Sequence, residues 1–209
     1  MTTRMVCAGD SNTRGEYGVG YVGMLRERWS GRGIDVVAEG VNGDTSENLA
    51  RRLAQIVWLR PDAVTVLIGT NDLWGSLSQA NGRLLMRRKG LAEPPTLDGY
   101  RDRLGAIVAR LVAETDARIA VLSPPVLGQD PDGPAGRAGE RFAEAAREVA
   151  GVRGVDYLPL FERQSRYLRE SGAPPARSRT GSVSGTPPCW GTVCYAGPTM
   201  RSRPAGAWR

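Results

Sequence analysis

A chain of 209 residues, 41% hydrophobic and 24% charged, is long enough for one α/β domain with a substantial core and too short for two. Its longest apolar runs, residues 63–68 and 119–122, are strand-sized and exclude a membrane-spanning helix, and three cysteines are too few for a disulfide framework. The net charge of +6 is not a property of the whole surface: residues 1–175 carry a net +1, whereas residues 176–209 carry five Arg and no acid.

In chain order, short apolar runs alternate with amphipathic stretches. Strands are predicted over residues 4–8, 34–39, 63–68, 118–122 and 155–158, and helices over 21–30, 46–59, 97–115, 137–150 and 160–171. In the third of these helices Leu97, Tyr100, Leu104, Ile107, Val108 and Leu111 recur at helical spacing and define one buried stripe. In the third strand Ala63, Val64, Thr65, Val66, Leu67 and Ile68 show no polar alternation, the pattern of a strand covered on both faces. Alternating βαβ units imply a parallel sheet with right-handed crossovers, an α/β sandwich. Cys7, in the first strand, reads as a small core residue. Arginine supplies every basic side chain but Lys89, a bias that fits GC-rich coding DNA better than a dedicated binding surface. No apolar leader precedes the first strand, so a cytoplasmic location is expected.

The pattern stops at Ala176. Residues 176–209 contain no Leu, Ile, Phe, Lys, Asp or Glu and are dominated by Gly, Pro, Ser, Thr and Arg. Such a segment cannot bury enough apolar surface to offset its ordering entropy, so disorder is expected there. A natural tail and a translated frameshift both account for the change. The domain is therefore assigned to residues 1–175 and the tail to 176–209.

Sites in parallel sheets lie beyond the carboxyl ends of the strands. Three motifs fall at three successive strand ends: Gly9-Asp10-Ser11-Asn12-Thr13, then Gly40-Val41-Asn42-Gly43-Asp44-Thr45-Ser46, then Gly69-Thr70-Asn71-Asp72. If those strands are neighbours, the loops meet at one edge of the sheet. They then supply a hydroxyl, a glycine N–H and a carboxamide, the parts needed to attack a carbonyl and hold the resulting oxyanion.

On these three blocks the sequence resembles the SGNH (GDSL-type) serine hydrolases, a family of esterases, lipases, thioesterases and carbohydrate deacetylases, over about residues 4–175. The resemblance implies a five-stranded parallel α/β/α sandwich of strand order 2-1-3-4-5. It implies Ser11 as nucleophile, and an oxyanion hole of the Ser11 and Gly43 N–H groups with the Asn71 side chain. It also implies a small-molecule ester substrate and no cofactor or metal. One block departs. The family ends on Asp-x-x-His, where His is the general base, and this chain has no His at all and no Asp after Asp156. Without a base titrating near neutrality, Ser11 keeps its proton, and low activity is expected.

Other features have plainer readings. Asp10 reads as a turn-holding carboxylate, Asp72 as a loop hydrogen-bonding group, and Trp74 either as a packing residue or as the wall of an acyl pocket. Cys189 and Cys194 lack the further ligands of a zinc site. Gly18-Val19-Gly20-Tyr21-Val22-Gly23 matches G-x-G-x-x-G, but no strand immediately precedes it, so it reads as the lead into the first helix. Two alternatives to catalysis remain open: a ligand-binding domain that has lost turnover, and nucleic-acid contact through the basic tail.

Overall fold

The computed structural model describes residues 2–16 and 20–171. The five strands are β1 (Thr3–Gly9), β2 (Ile34–Gly40), β3 (Ala63–Leu67), β4 (Arg118–Leu122) and β5 (Asp156–Leu158). All pair in parallel, in the order β2-β1-β3-β4-β5. The register matters most for function. Gly9 lies beside Gly40 and Leu67, Leu67 beside Leu122, and Leu122 beside Leu158. The last residues of all five strands thus form one row, and β1 stands between β2 and β3. The three motif loops leave from adjacent positions in that row.

The helices are α1 (Ser11–Arg14), α2 (Tyr21–Arg28), α3 (Ser46–Arg51), α4 (Leu53–Trp58), α5 (Thr70–Ser76), α6 (Gln79–Lys89), α7 (Leu97–Glu114), α8 (Pro134–Arg153) and α9 (Leu160–Ser171). Side-chain alternation along β1 sorts the core. Val6 and Ala8 join the main cluster with Leu49, Leu53, Val64, Val66, Leu104 and Phe142, contributed by β3, α3, α4, α7 and α8. Cys7 points the other way, against Val22 of α2 and Val36 of β2. The predicted stripe of α7 is the buried one: Tyr100, Leu104, Ile107, Val108 and Leu111 are all inside.

The predicted helix over 46–59 is broken. Arg52 leaves helical geometry (φ −104°, ψ 11°) and its N–H closes a tighter turn on the Leu49 carbonyl. Its guanidinium meanwhile reaches the Gly9 and Glu39 carbonyls at the strand ends. Helix α8 starts three residues before the predicted position because Pro134 occupies its first turn, where a missing N–H costs nothing. It runs on to Arg153, stopped by Gly154 in the left-handed conformation. Three helices escaped periodicity. α1 and α5 are too short to show any, and α6 carries its apolar residues only at Ala80 and over 84–86. Ser78, whose hydroxyl caps α6 by accepting from the Asn81 N–H at 3.1 Å, is the local signal that marks it.

Burial on α7 predicts a contrast within one helix. Leu104→Ala, at a fully buried position, should cost about 3 kcal/mol of unfolding free energy, and Val112→Ala, half exposed at the flank of the buried stripe, less than about 0.5. Urea denaturation of both variants checks this; equal losses would mean that α7 packs on a different face.

Candidate active site

The first loop is built on close approach. A Cβ at Gly9 would stand 2.2 Å from the Leu67 carbonyl oxygen and 2.3 Å from Thr13 Oγ1, so only glycine lets the chain fold back over β3. Asp10 then caps α1, its Oδ1 accepting from the Asn12 N–H (2.9 Å) and from Asn12 Nδ2 (2.8 Å). Ser11 follows as the first residue of α1, half-buried. Its hydroxyl makes no hydrogen bond among the described residues.

The second loop is a turn over residues 41–44, closed by the Asp44 N–H on the Val41 carbonyl at 3.1 Å. Gly43 occupies its third position with φ +75°, the left-handed geometry that a type II turn requires there. Helix α3 begins immediately afterwards under a capping box between Thr45 and Asn48. The Asp44 side chain is almost fully buried and accepts from two cations, Arg52 Nε at 2.8 Å on one oxygen and Lys89 Nζ at 2.9 Å on the other.

The third loop turns straight into α5, and its two polar residues grip the second loop. Asn71 Nδ2 donates to the Asp44 carbonyl at 2.9 Å. The neighbouring Asp72 carboxylate accepts from the Ser46 N–H (2.9 Å) and hydroxyl (2.6 Å). The first loop is tied to the third by Asn12 Nδ2, which donates to Thr70 Oγ1 at 3.0 Å. Arg52 Nη2 completes the arrangement from beneath, donating to the Gly9 (2.9 Å) and Glu39 (3.1 Å) carbonyls. Ser11, Gly43 and Asn71 thus stand on three neighbouring strand ends that hydrogen bonds lock together.

Sequence reasoning missed Asp44, Arg52 and Asn12 as the tying groups. All three sit in or beside the motifs, but their partners lie up to 58 residues away, where no local pattern points. Trp74 lies on α5, half-buried, with its carbonyl accepting from Asn81 Nδ2 at 3.0 Å. Asp10 and Asp72 both hold loops, as their positions suggested. Among the described residues no cluster of His, Cys, Asp or Glu could hold a metal ion, and no helix is long and apolar enough to cross a membrane. Gly18 and Val19 of the glycine-rich match, the Cys189 and Cys194 pair, and the tail from residue 176 lie outside the described residues.

Burial governs the electrostatics. It pushes the Asp10 carboxyl up to about 6, with the Asp72 charge adding to the effect against the Asn12 hydrogen bonds. Asp72 is raised for the same first reason, and Ser46 counteracts it.

The chain matches the GDSL-like lipase/acylhydrolase family over residues 7–181 and belongs to that family. Among curated proteins it is 26% identical over 144 residues to an acetylxylan esterase of Geobacillus stearothermophilus. The match covers 65% of this chain and 60% of that protein, so the chain spans about three-fifths of that relative's length. Among solved structures it is similar to Axe2, an acetylxylan esterase from Geobacillus stearothermophilus, with a TM-score of 0.66 at 21% identity, covering 80% of each chain. It is also similar to LAE5, an alpha/beta hydrolase enzyme from the metagenome of Lake Arreo, with a TM-score of 0.65 at 23% identity over 81% of this chain and 83% of that one. Axe2 has been solved as catalytic mutants with a serine, an aspartate or a histidine replaced by alanine.

The Asp10 environment makes a prediction about stability. Its folded-state pKa of about 6 lies above the ordinary 3.8, so between those values the folded chain keeps a proton that the unfolded chain has released. Asp10 therefore withdraws stability as pH climbs through that window, on the order of 3 kcal/mol in total. Asp10→Asn keeps an oxygen acceptor and removes the titration. Its unfolding free energy relative to the parent should rise between pH 4 and pH 7 by an amount of that order. A difference that stays flat across the range contradicts the assignment.

Proposed function

We propose that this chain is an ester hydrolase working through an acyl-enzyme on Ser11, with the Ser11 and Gly43 N–H groups and the Asn71 carboxamide receiving the oxyanion. The observation that carries the reading is the interlocking of the three strand ends by the Asn12–Thr70, Asn71–Asp44 and Asp72–Ser46 bonds. A nucleophile and its oxyanion donors are useful only when held in fixed relation, and these bonds tie three separate strand ends into one unit. Asn71 uses one amide hydrogen on Asp44 and keeps its second to donate.

The Ser11 oxygen attacks the ester carbonyl carbon, and the carbonyl π electrons move onto the oxyanion. Collapse of that intermediate expels the alcohol, which leaves with a proton, and the acyl group stays on Ser11. Water then attacks the acyl-serine, releasing the carboxylic acid and restoring the hydroxyl. In this chain no imidazole takes the serine proton, so it passes to water or hydroxide and turnover is slow. The likeness to an acetylxylan esterase makes acetyl esters of sugar hydroxyls the first substrate class to assay. The absence of histidine favours one companion reading, a domain that binds esters without turning them over.

Hydrolysis of p-nitrophenyl acetate decides between them. The chain should turn over at a rate ~10⁴-fold or more below that of a complete triad, and Ser11→Ala should remove the protein-dependent part. Added imidazole should raise the difference between parent and Ser11→Ala, and without it that difference should climb with pH through neutrality instead of levelling off. A parent rate unchanged by Ser11→Ala, together with no fluorophosphonate labelling of Ser11, would leave only the binding reading.

A further inference from the structure

Lys89 is the single lysine of the chain, and it lies at the end of α6, 47 residues from the loop it touches. Its Nζ donates to the Asn42 carbonyl oxygen at 3.0 Å and stands 2.9 Å from Asp44 Oδ1. Its stem runs along Gly43: a Cβ there would meet Lys89 Cδ at 3.5 Å. The end of α6 is itself anchored to α3, because Asn48 Nδ2 donates to the Lys89 carbonyl at 3.0 Å and Arg51 Nη1 to the Gly90 carbonyl at 2.8 Å.

The peptide unit holding the Asn42 carbonyl also holds the Gly43 N–H, and in a trans peptide the two point in opposite directions. This is the middle peptide of the turn over 41–44. Type I and type II turns differ mainly by the flip of that unit, and glycine at the third position puts little steric cost on either state. The choice therefore falls to whatever holds the carbonyl. We propose that Lys89 is a positioning residue that pins the Asn42 carbonyl and so aims the Gly43 N–H into the oxyanion hole, a role that rests on Gly43 being one of the oxyanion donors. The ammonium also draws electron density along the peptide and strengthens its N–H as a donor. Asp44 holds the ammonium in place through one oxygen while Arg52 occupies the other.

Lys89→Met keeps the stem and removes the charge and the donor. In ¹⁵N–¹H spectra its Gly43 amide should move or broaden, while the Val6, Val64 and Val66 amides of the sheet stay in place. The kcat of Ser11-dependent ester hydrolysis should fall ~10-fold or more with KM held within about twofold, because only the charged intermediate feels the lost donor. A Gly43 amide that stays in place overturns the proposal, and so does one that moves while kcat does not. Failure of the hydrolase reading is recognised separately, by a parent rate that Ser11→Ala leaves unchanged.

Discussion

A carboxylate taken out of water costs several kcal/mol unless cations and hydrogen bonds replace its hydration, and Asp44 is such a group. Arg52 from the break between α3 and α4 holds one of its oxygens, and Lys89 from α6 holds the other. Both cations do more than pair. Arg52 carries on to the Gly9 and Glu39 carbonyls at the ends of β1 and β2, and Lys89 to the Asn42 carbonyl within the turn. The Asp44 main-chain oxygen receives Asn71 from the third loop. Three strand ends that would otherwise carry independent turns are thus joined around one buried charge.

Why the strand ends are available for this follows from the sheet. Parallel pairing in the order β2-β1-β3 sets Gly9 beside Gly40 on one side and Leu67 on the other. The glycine at position 9 brings α1 close enough for Asn12 to reach Thr70. The core beneath, where Leu49 and Leu53 from α3 and α4 join Val64 and Val66 in one cluster, fixes the helices that flank Arg52 and carry Asn48. Packing therefore sets the positions, and the hydrogen bonds set the orientations.

Much of this was legible in the chain itself. β3 announces its burial by an apolar run without alternation, and the Leu97 to Leu111 spacing marks the inner face of α7. The three Gly-containing motifs mark the strand ends because glycine and Asx residues are what sharp turns there require. What could not be read is long-range. Nothing near Asn42 says that a lysine 47 residues on will hold its carbonyl, and nothing in the amphipathic pattern of 46–59 says that Arg52 will break the helix. Local periodicity reports burial, and these groups are polar and partly buried.

The chemistry that remains is that of a family site carrying a hydroxyl and candidate oxyanion donors but no imidazole. The most direct test of this oxyanion hole is a crystal structure of the chain after fluorophosphonate treatment. A phosphonyl group is expected on Ser11 Oγ with its free oxygen at about 3 Å from the Ser11 N, the Gly43 N and Asn71 Nδ2 together. A phosphonyl oxygen turned to solvent, away from Gly43 and Asn71, would contradict it.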